Sequence, residues 1–258
     1  MNDIPLLEHD PNDDAVLHPQ RVLTRHHDMP QHVIFCFFQE VIAEVTKKHP
    51  ADIDVKLRNS LASEIGPNPI HGVMTPWGRV AVVHPGVGAA LAAGFFEETI
   101  ALGGNKFMAC GGAGVLSSAY DVGHVVIPQA AVRDEGTSYH YWPASREVNM
   151  QPQVVDTIAQ TLETNGVPYD IGKTWTTDAI YRETRGKVVK RREEGCLVVE
   201  METAAFLAVA QFRDVAFGQL LYGGDDVSGE AWDNRGWQRR TSVRERLFWL
   251  AAEAVFKL

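Results

Sequence analysis

Two acidic stretches stand out by residue type and spacing: Val199-Glu200-Met201-Glu202-Thr203-Ala204-Ala205, and Gly223-Gly224-Asp225-Asp226 some twenty positions later. A carboxylate at Glu202, where an apolar strand gives way to a helix, can accept hydrogen bonds from two vicinal hydroxyls of a sugar. Met201 beside it offers a soft apolar floor. One of Asp225 and Asp226, at the end of another apolar run, can hand a proton to a departing nitrogen. Together these groups suit the splitting of a glycosidic C–N bond. Plainer roles exist for each: a Glu at a helix start often serves the helix dipole, and an Asp-rich stretch before Ser228-Gly229 often forms a turn.

Other segments join them. Gly111-Gly112-Ala113-Gly114 follows the apolar run Phe107-Met108-Ala109-Cys110, and glycines there let backbone N–H groups come close to an anion or a planar ring, or simply supply a tight strand exit. His84-Pro85-Gly86-Val87-Gly88 reads as a second such turn. The run Arg133 to Tyr141 is dense in polar and aromatic groups, a composition that often lines sites; a self-contained ion pair is its plainer reading. With ten histidines in the chain, His140 carries little weight alone.

The elements that must position these groups alternate. The patterns predict strands near 32–37, 80–84, 106–110, 124–127, 169–173, 197–201 and 216–222. Helices are predicted near 39–49, 89–102, 152–164, 183–194, 203–212 and 242–256. Such alternation implies an α/β fold with parallel pairing and crossover connections. Residues 1–30 lack a sustained period and read as an arm, with 31–258 as one domain. The net charge of −9 argues against nucleic acid or anionic membrane as the main partner, and a small-molecule ligand is expected instead. Cys36, Cys110 and Cys196 lie in apolar surroundings without zinc-like spacing, as expected of buried free thiols in a cytoplasmic protein that holds no metal.

Cys110 to Gly114, Val125 to Pro128, Arg133 to Tyr141, Thr176 to Tyr181, Val199 to Ala205 and Gly224-Asp225, read in order, resemble the nucleoside phosphorylase and nucleosidase superfamily, nearest its uridine phosphorylase-like branch. The resemblance implies a three-layer α/β/α sandwich around a mixed, partly barrelled sheet, assembled as homodimers or homohexamers. It implies that Met201 and Glu202 hold the ribose and that Asp225 is the general acid or hydrogen-bond donor at the base. It also implies that Gly112, Ala113 and Gly114 form a turn between phosphate and base, and that Ile180 and Tyr181 form a wall against the nucleobase. No cofactor is implied, only inorganic phosphate as co-substrate.

The chain departs from the family pattern at the phosphate. The Gly-Asp-Pro-x-Arg loop of phosphorylases falls on Cys36-Phe37-Phe38-Gln39-Glu40, a second arginine falls on Ala109, and a Ser or Thr falls on Gly112. Arg133, a neighbouring subunit's arginine or backbone N–H groups would have to replace them. Hydrolytic nucleosidases of the superfamily also lack these arginines and place a catalytic Glu early in the first helix, where Glu40 stands; a dipole-stabilising carboxylate is its plainer role. The base-reading Gln and Arg of uridine phosphorylases fall near Thr184 and Gly186, which leaves the choice of base open. The expectation is a pentosyltransferase, a nucleoside phosphorylase of uridine or purine type. A nucleosidase and a non-catalytic nucleoside-binding protein are the alternatives.

Overall fold

The computed structural model describes residues 4–59 and 61–258, so the first three residues of the predicted arm lie outside the described residues. Its strands are β1 (His32–Cys36), β2 (Leu61–Ser63), β3 (Gly66–Asn68), β4 (His71–Thr75), β5 (Gly78–Val83), β6 (Lys106–Val115), β7 (Val125–Asp134), β8 (Glu147–Asn149), β9 (Tyr169–Thr177), β10 (Cys196–Glu200) and β11 (Ala216–Asp226). The α-helices are α1 (Pro19–Val22), α2 (Gln39–Lys48), α3 (Val55–Arg58), α4 (Ala89–Leu102), α5 (Pro152–Thr164), α6 (Arg185–Glu193), α7 (Thr203–Phe212) and α8 (Thr241–Val255).

Nine strands form one sheet in the order β10-β9-β7-β11-β6-β1-β5-β4, with β8 added to β7. A further pairing of β10 with β6 closes five of them into a ring, which is the partly barrelled sheet. Parallel pairs dominate the middle, β1 with β5 and β6, β11 with β6, and β9 with β7 and β10. The sheet is nonetheless mixed, because β10–β6, β11–β7, β4–β5 and β7–β8 run antiparallel. Antiparallel contacts at β10 and β11 follow from ring closure, a long-range condition that hydrophobic periodicity does not carry.

Successive residues of a strand face opposite sides, and β11 shows both helical layers. Phe217 packs at a tilt against Phe96 of α4 and Phe206 of α7, whereas Gly218 faces Val154 and Ile158 of α5. Phe35 on β1 joins the first of these aromatic clusters. The helices that flank the sheet are apolar toward it: α7 buries every residue from Thr203 to Ala210. Burial of this kind contributes roughly 25 cal/mol per Å² of apolar surface. All three cysteines are buried and free. Among the described residues no helix is long and apolar enough to cross a membrane.

The glycine row Gly111 to Gly114 is not a turn. It continues β6, paired with Leu221, Tyr222 and Gly223 of β11 and, at Gly114, with Val199 of β10. None of these glycines takes a positive φ. Neighbouring strands on both sides satisfy their backbone groups, which overrides the tendency of glycine to end a strand. The turn at the end of β5 is a true one: Gly86 has φ 81° and Gly88 φ 92°, where only glycine sits without strain.

Candidate active site

The carboxyl ends of β6, β10 and β11 open into a cavity of about 850 Å³, a size suited to a small organic ligand. Met201, Glu202 and Asp225 all line it, as do Gly112, Ala113, Gly114, Ile180 and Tyr181. Residues from four distant parts of the chain therefore meet in one place. Ile180 and Tyr181 are exposed at the rim, Tyr181 almost fully.

Two glutamates divide the work at the start of α7. Glu200, fully buried, accepts hydrogen bonds from the N–H groups of Glu202 and Thr203 at 2.7 Å each and from the Thr176 hydroxyl at 2.6 Å. It satisfies the orphan donors of the helix terminus, as a capping side chain does. Glu202 is thereby released from that duty. Its own carboxylate accepts the Gly88 N–H at 2.6 Å, so the tight turn after β5 is tied to the cavity wall. Burial raises the Glu202 pKa well above the usual carboxylate range, and the Glu200 charge pushes it further.

Asp225 accepts the indole N–H of Trp232 at 2.7 Å. Trp232 belongs to the segment between β11 and α8, which bridges back to the strand through Asp226 and Asp233 and lines one side of the cavity through Gly229, Ala231, Trp232 and Trp237. The glycines of β6 make room for these groups. A Cβ on Gly112 would lie 3.0 Å from the Trp237 ring and 3.2 Å from Tyr222, and one on Gly114 would lie 3.6 Å from Asp225 Oδ1.

The structure corrects two expectations about charge. Arg133 does not line the cavity. Its guanidinium is buried and donates to Ser138 Oγ, Ser145 Oγ and the carbonyls of Trp142 and Pro143, while stacking 4.0 Å from the Tyr139 ring centroid. Its loop, completed by bonds from Ser138 to Glu135, is a self-contained polar knot rather than the ion pair of the plainer reading, and four of the five guanidinium N–H groups are committed within it. Glu40 stands in the first turn of α2 but also lies outside the cavity lining. It faces α8 and accepts from Arg244 Nη1 at 2.5 Å.

Several groups in the wall escaped the sequence reading. Arg244, nearly buried, spans from Glu40 to the Tyr222 hydroxyl and packs against the Phe38 and Trp237 rings. At 4.8 and 5.1 Å from those ring centroids, the guanidinium gains attraction from both faces. Glu183 lines the cavity next to the Ile180–Arg182 turn, and burial together with the Asp225 charge pushes its pKa up to about 7. Gln219 lines it from β11 and accepts the Thr203 hydroxyl at 3.0 Å. Only Glu183 carried a signal, an acidic residue two positions after the Ile-Tyr wall; Arg244 sits in an amphipathic helix, where nothing distinguishes it from a solvated arginine.

Comparison with known proteins follows the same lines. The guanosine phosphorylase of Halorubrum lacusprofundi is 28% identical over 145 residues, 55% of this chain and 58% of that protein. The uridine phosphorylase of Thermococcus kodakarensis is 32% identical over 102 residues, 40% of this chain and 37% of that protein. The aligned chain spans about half the length of these curated relatives or less. In architecture the fold resembles a crystal structure of uridine phosphorylase from Vibrio fischeri, with a TM-score of 0.74 at 18% identity over 95% of this chain and all of that one. The family profile described as the Phosphorylase superfamily matches residues 31–247, from the first strand of the sheet into α8, and the chain belongs to that superfamily.

Proposed function

We propose that this chain is a nucleoside phosphorylase, cleaving the N-glycosidic bond of a nucleoside with inorganic phosphate as acceptor. The observation that carries the reading is the meeting of Glu202 and Asp225 in one cavity, with Met201 beside the first and the Ile180-Tyr181 rim near the second. Vicinal ribose hydroxyls would donate to Glu202, compensating a carboxylate whose burial is otherwise unfavourable. Asp225 helps the base depart. As the C1′–N bond lengthens the ribosyl group becomes cationic, and an acidic lining of Glu200, Glu202 and Asp225 stabilises that charge without reorganising. Positioning contributes the rest. Phosphate as acceptor is supported by the superfamily and by the names of the relatives, a guanosine and a uridine phosphorylase. Those two names also leave purine and pyrimidine bases both in view.

One observation favours hydrolysis as a second reading. Both arginines in the lining are engaged, Arg244 by Glu40 and Tyr222 and Arg185 by the Glu230 carbonyl at 2.6 Å. Phosphate, a dianion, would enter an acidic cavity with no unengaged cation among the described lining residues. Water carries no such penalty. Incubation of the protein with a panel of purine and pyrimidine nucleosides, with and without phosphate, separates the readings. Release of ribose 1-phosphate only when phosphate is present supports phosphorolysis, and free ribose in phosphate-free buffer supports hydrolysis. Tight nucleoside binding without turnover under either condition would leave a binding protein.

A further inference from the structure

One carboxyl of the cavity, that of Glu183, has no place in the mechanism above. Glu183 follows the Ile180–Arg182 turn, lines the same cavity as Asp225, and is half-buried. Its carboxyl makes no hydrogen bond or ion pair among the described residues. The charged groups around it come from three places. Asp225 faces it from β11, Lys187 lies near it in the first turn of α6, and Glu202 occupies the same cavity at the start of α7. Lys187 is held by Asp134, at 2.9 Å, and Arg185 by the Glu230 carbonyl. Two carboxyls that share a site with no cation of their own do not both ionise readily.

We propose that Glu183 is a further catalytic residue, the carboxylic acid that protonates the leaving base, with Asp225 facing it in the same cavity. The inference rests on the reading of the cavity as one that cleaves nucleosides. When the C1′–N bond breaks, its electron pair passes to the base, which takes the Glu183 proton and leaves neutral. The attacking hydrogen phosphate forms the new C1′–O bond and loses its own proton, which returns to Glu183 by way of solvent. With burial and Asp225 holding Glu183 protonated up to about pH 7, the acid form is lost as pH rises through that value, and turnover falls with it.

The test compares Glu183→Gln and Glu183→Asp with the wild type on two substrates. One is the nucleoside turned over fastest by the wild type. The other is 4-nitrophenyl β-D-ribofuranoside, whose nitrophenolate departs without needing a proton. Expected for Glu183→Gln is a kcat on the nucleoside lower by about 10²-fold, the scale of a lost proton donor, with turnover of the nitrophenyl riboside within about twofold of wild type. The decline of nucleoside turnover above neutral pH disappears in Glu183→Gln and persists in Glu183→Asp. Equal losses on both substrates, or an unchanged nucleoside kcat, overturn the role of Glu183 while leaving nucleoside cleavage standing. A wild-type protein inactive on every nucleoside and on the nitrophenyl riboside removes the functional reading and this inference together.

Discussion

At the scale of single residues, three carboxyl groups differ in where they find their hydrogen bonds. Glu200 is saturated by Thr176 and two helix N–H groups, Glu202 accepts the Gly88 N–H of a neighbouring turn, and Asp225 is steadied by an exposed indole. That gradient from satisfied to available separates structural acids from those free to meet a ligand. Asp225→Asn is expected to lower kcat by about 10²-fold, the range for a positioned group that assists proton transfer, with little effect on melting temperature. Steady-state kinetics beside a thermal melt checks both halves. Glu200→Ala should behave in the opposite way, destabilising the fold by roughly 2–4 kcal/mol because it strands buried donors that have no water to turn to. Denaturant unfolding would reveal it, and an unchanged midpoint would contradict the division between the two glutamates.

At the scale of elements, the strands deliver the site and the segment after β11 closes one side of it. Gly112 on β6 shows how narrow the fit is, with Trp237 from that segment only 3.0 Å from where a Cβ would sit. Gly112→Ala is expected to push the Trp237 ring and raise KM more than it lowers kcat; nucleoside titrations of initial rate test this. The sequence made α4, α5 and α7 legible to the residue, since their apolar periods are long and clear and Gln151-Pro152 and Gly103 mark an entry and an exit. It misjudged where β6, β7 and β9 end. Gly111 to Gly114 is a poor strand signal alone, yet ring closure extends it, whereas Thr174 to Thr177 carries the β-branched and aromatic residues of a strand and the sequence reading stops short of it. The short β2, β3, β4 and β8 were invisible for another reason: three to five residues are too few to show a period.

At the scale of the whole molecule, the placement of Glu202 was legible because one strand-to-helix boundary suffices to predict it. The loss of Arg133 to its own loop was not, because it depends on four acceptors that converge only in the folded chain. The folded protein also stores unfavourable charge at its site, and this has a sign that can be worked out. Burial raises the Glu202 pKa, so between the ordinary carboxylate range and that raised value the folded state binds more protons than the unfolded one. Stability from this group is therefore present at acid pH and lost as pH rises. Glu183 acts in the same direction up to about pH 7. Asp28, held low by its hydrogen bond from Arg79, acts oppositely and only below the ordinary range. Three half-buried histidines, His32, His71 and His84, whose pKa values burial lowers, act against this on the acid side, so the Glu202 contribution is read by difference. Glu202→Gln is expected to raise the melting temperature at pH 8 more than at pH 5.5, and melting curves of both proteins at the two pH values decide it.

The most direct measurement is a crystal structure with a C-nucleoside, whose carbon–carbon glycosidic bond cannot be cleaved. The predicted result has the ribose 2′ and 3′ hydroxyls within hydrogen-bond distance of Glu202 and the heterocycle facing Asp225 in the same cavity. A ligand seated elsewhere, or one whose sugar avoids Glu202, would contradict the account.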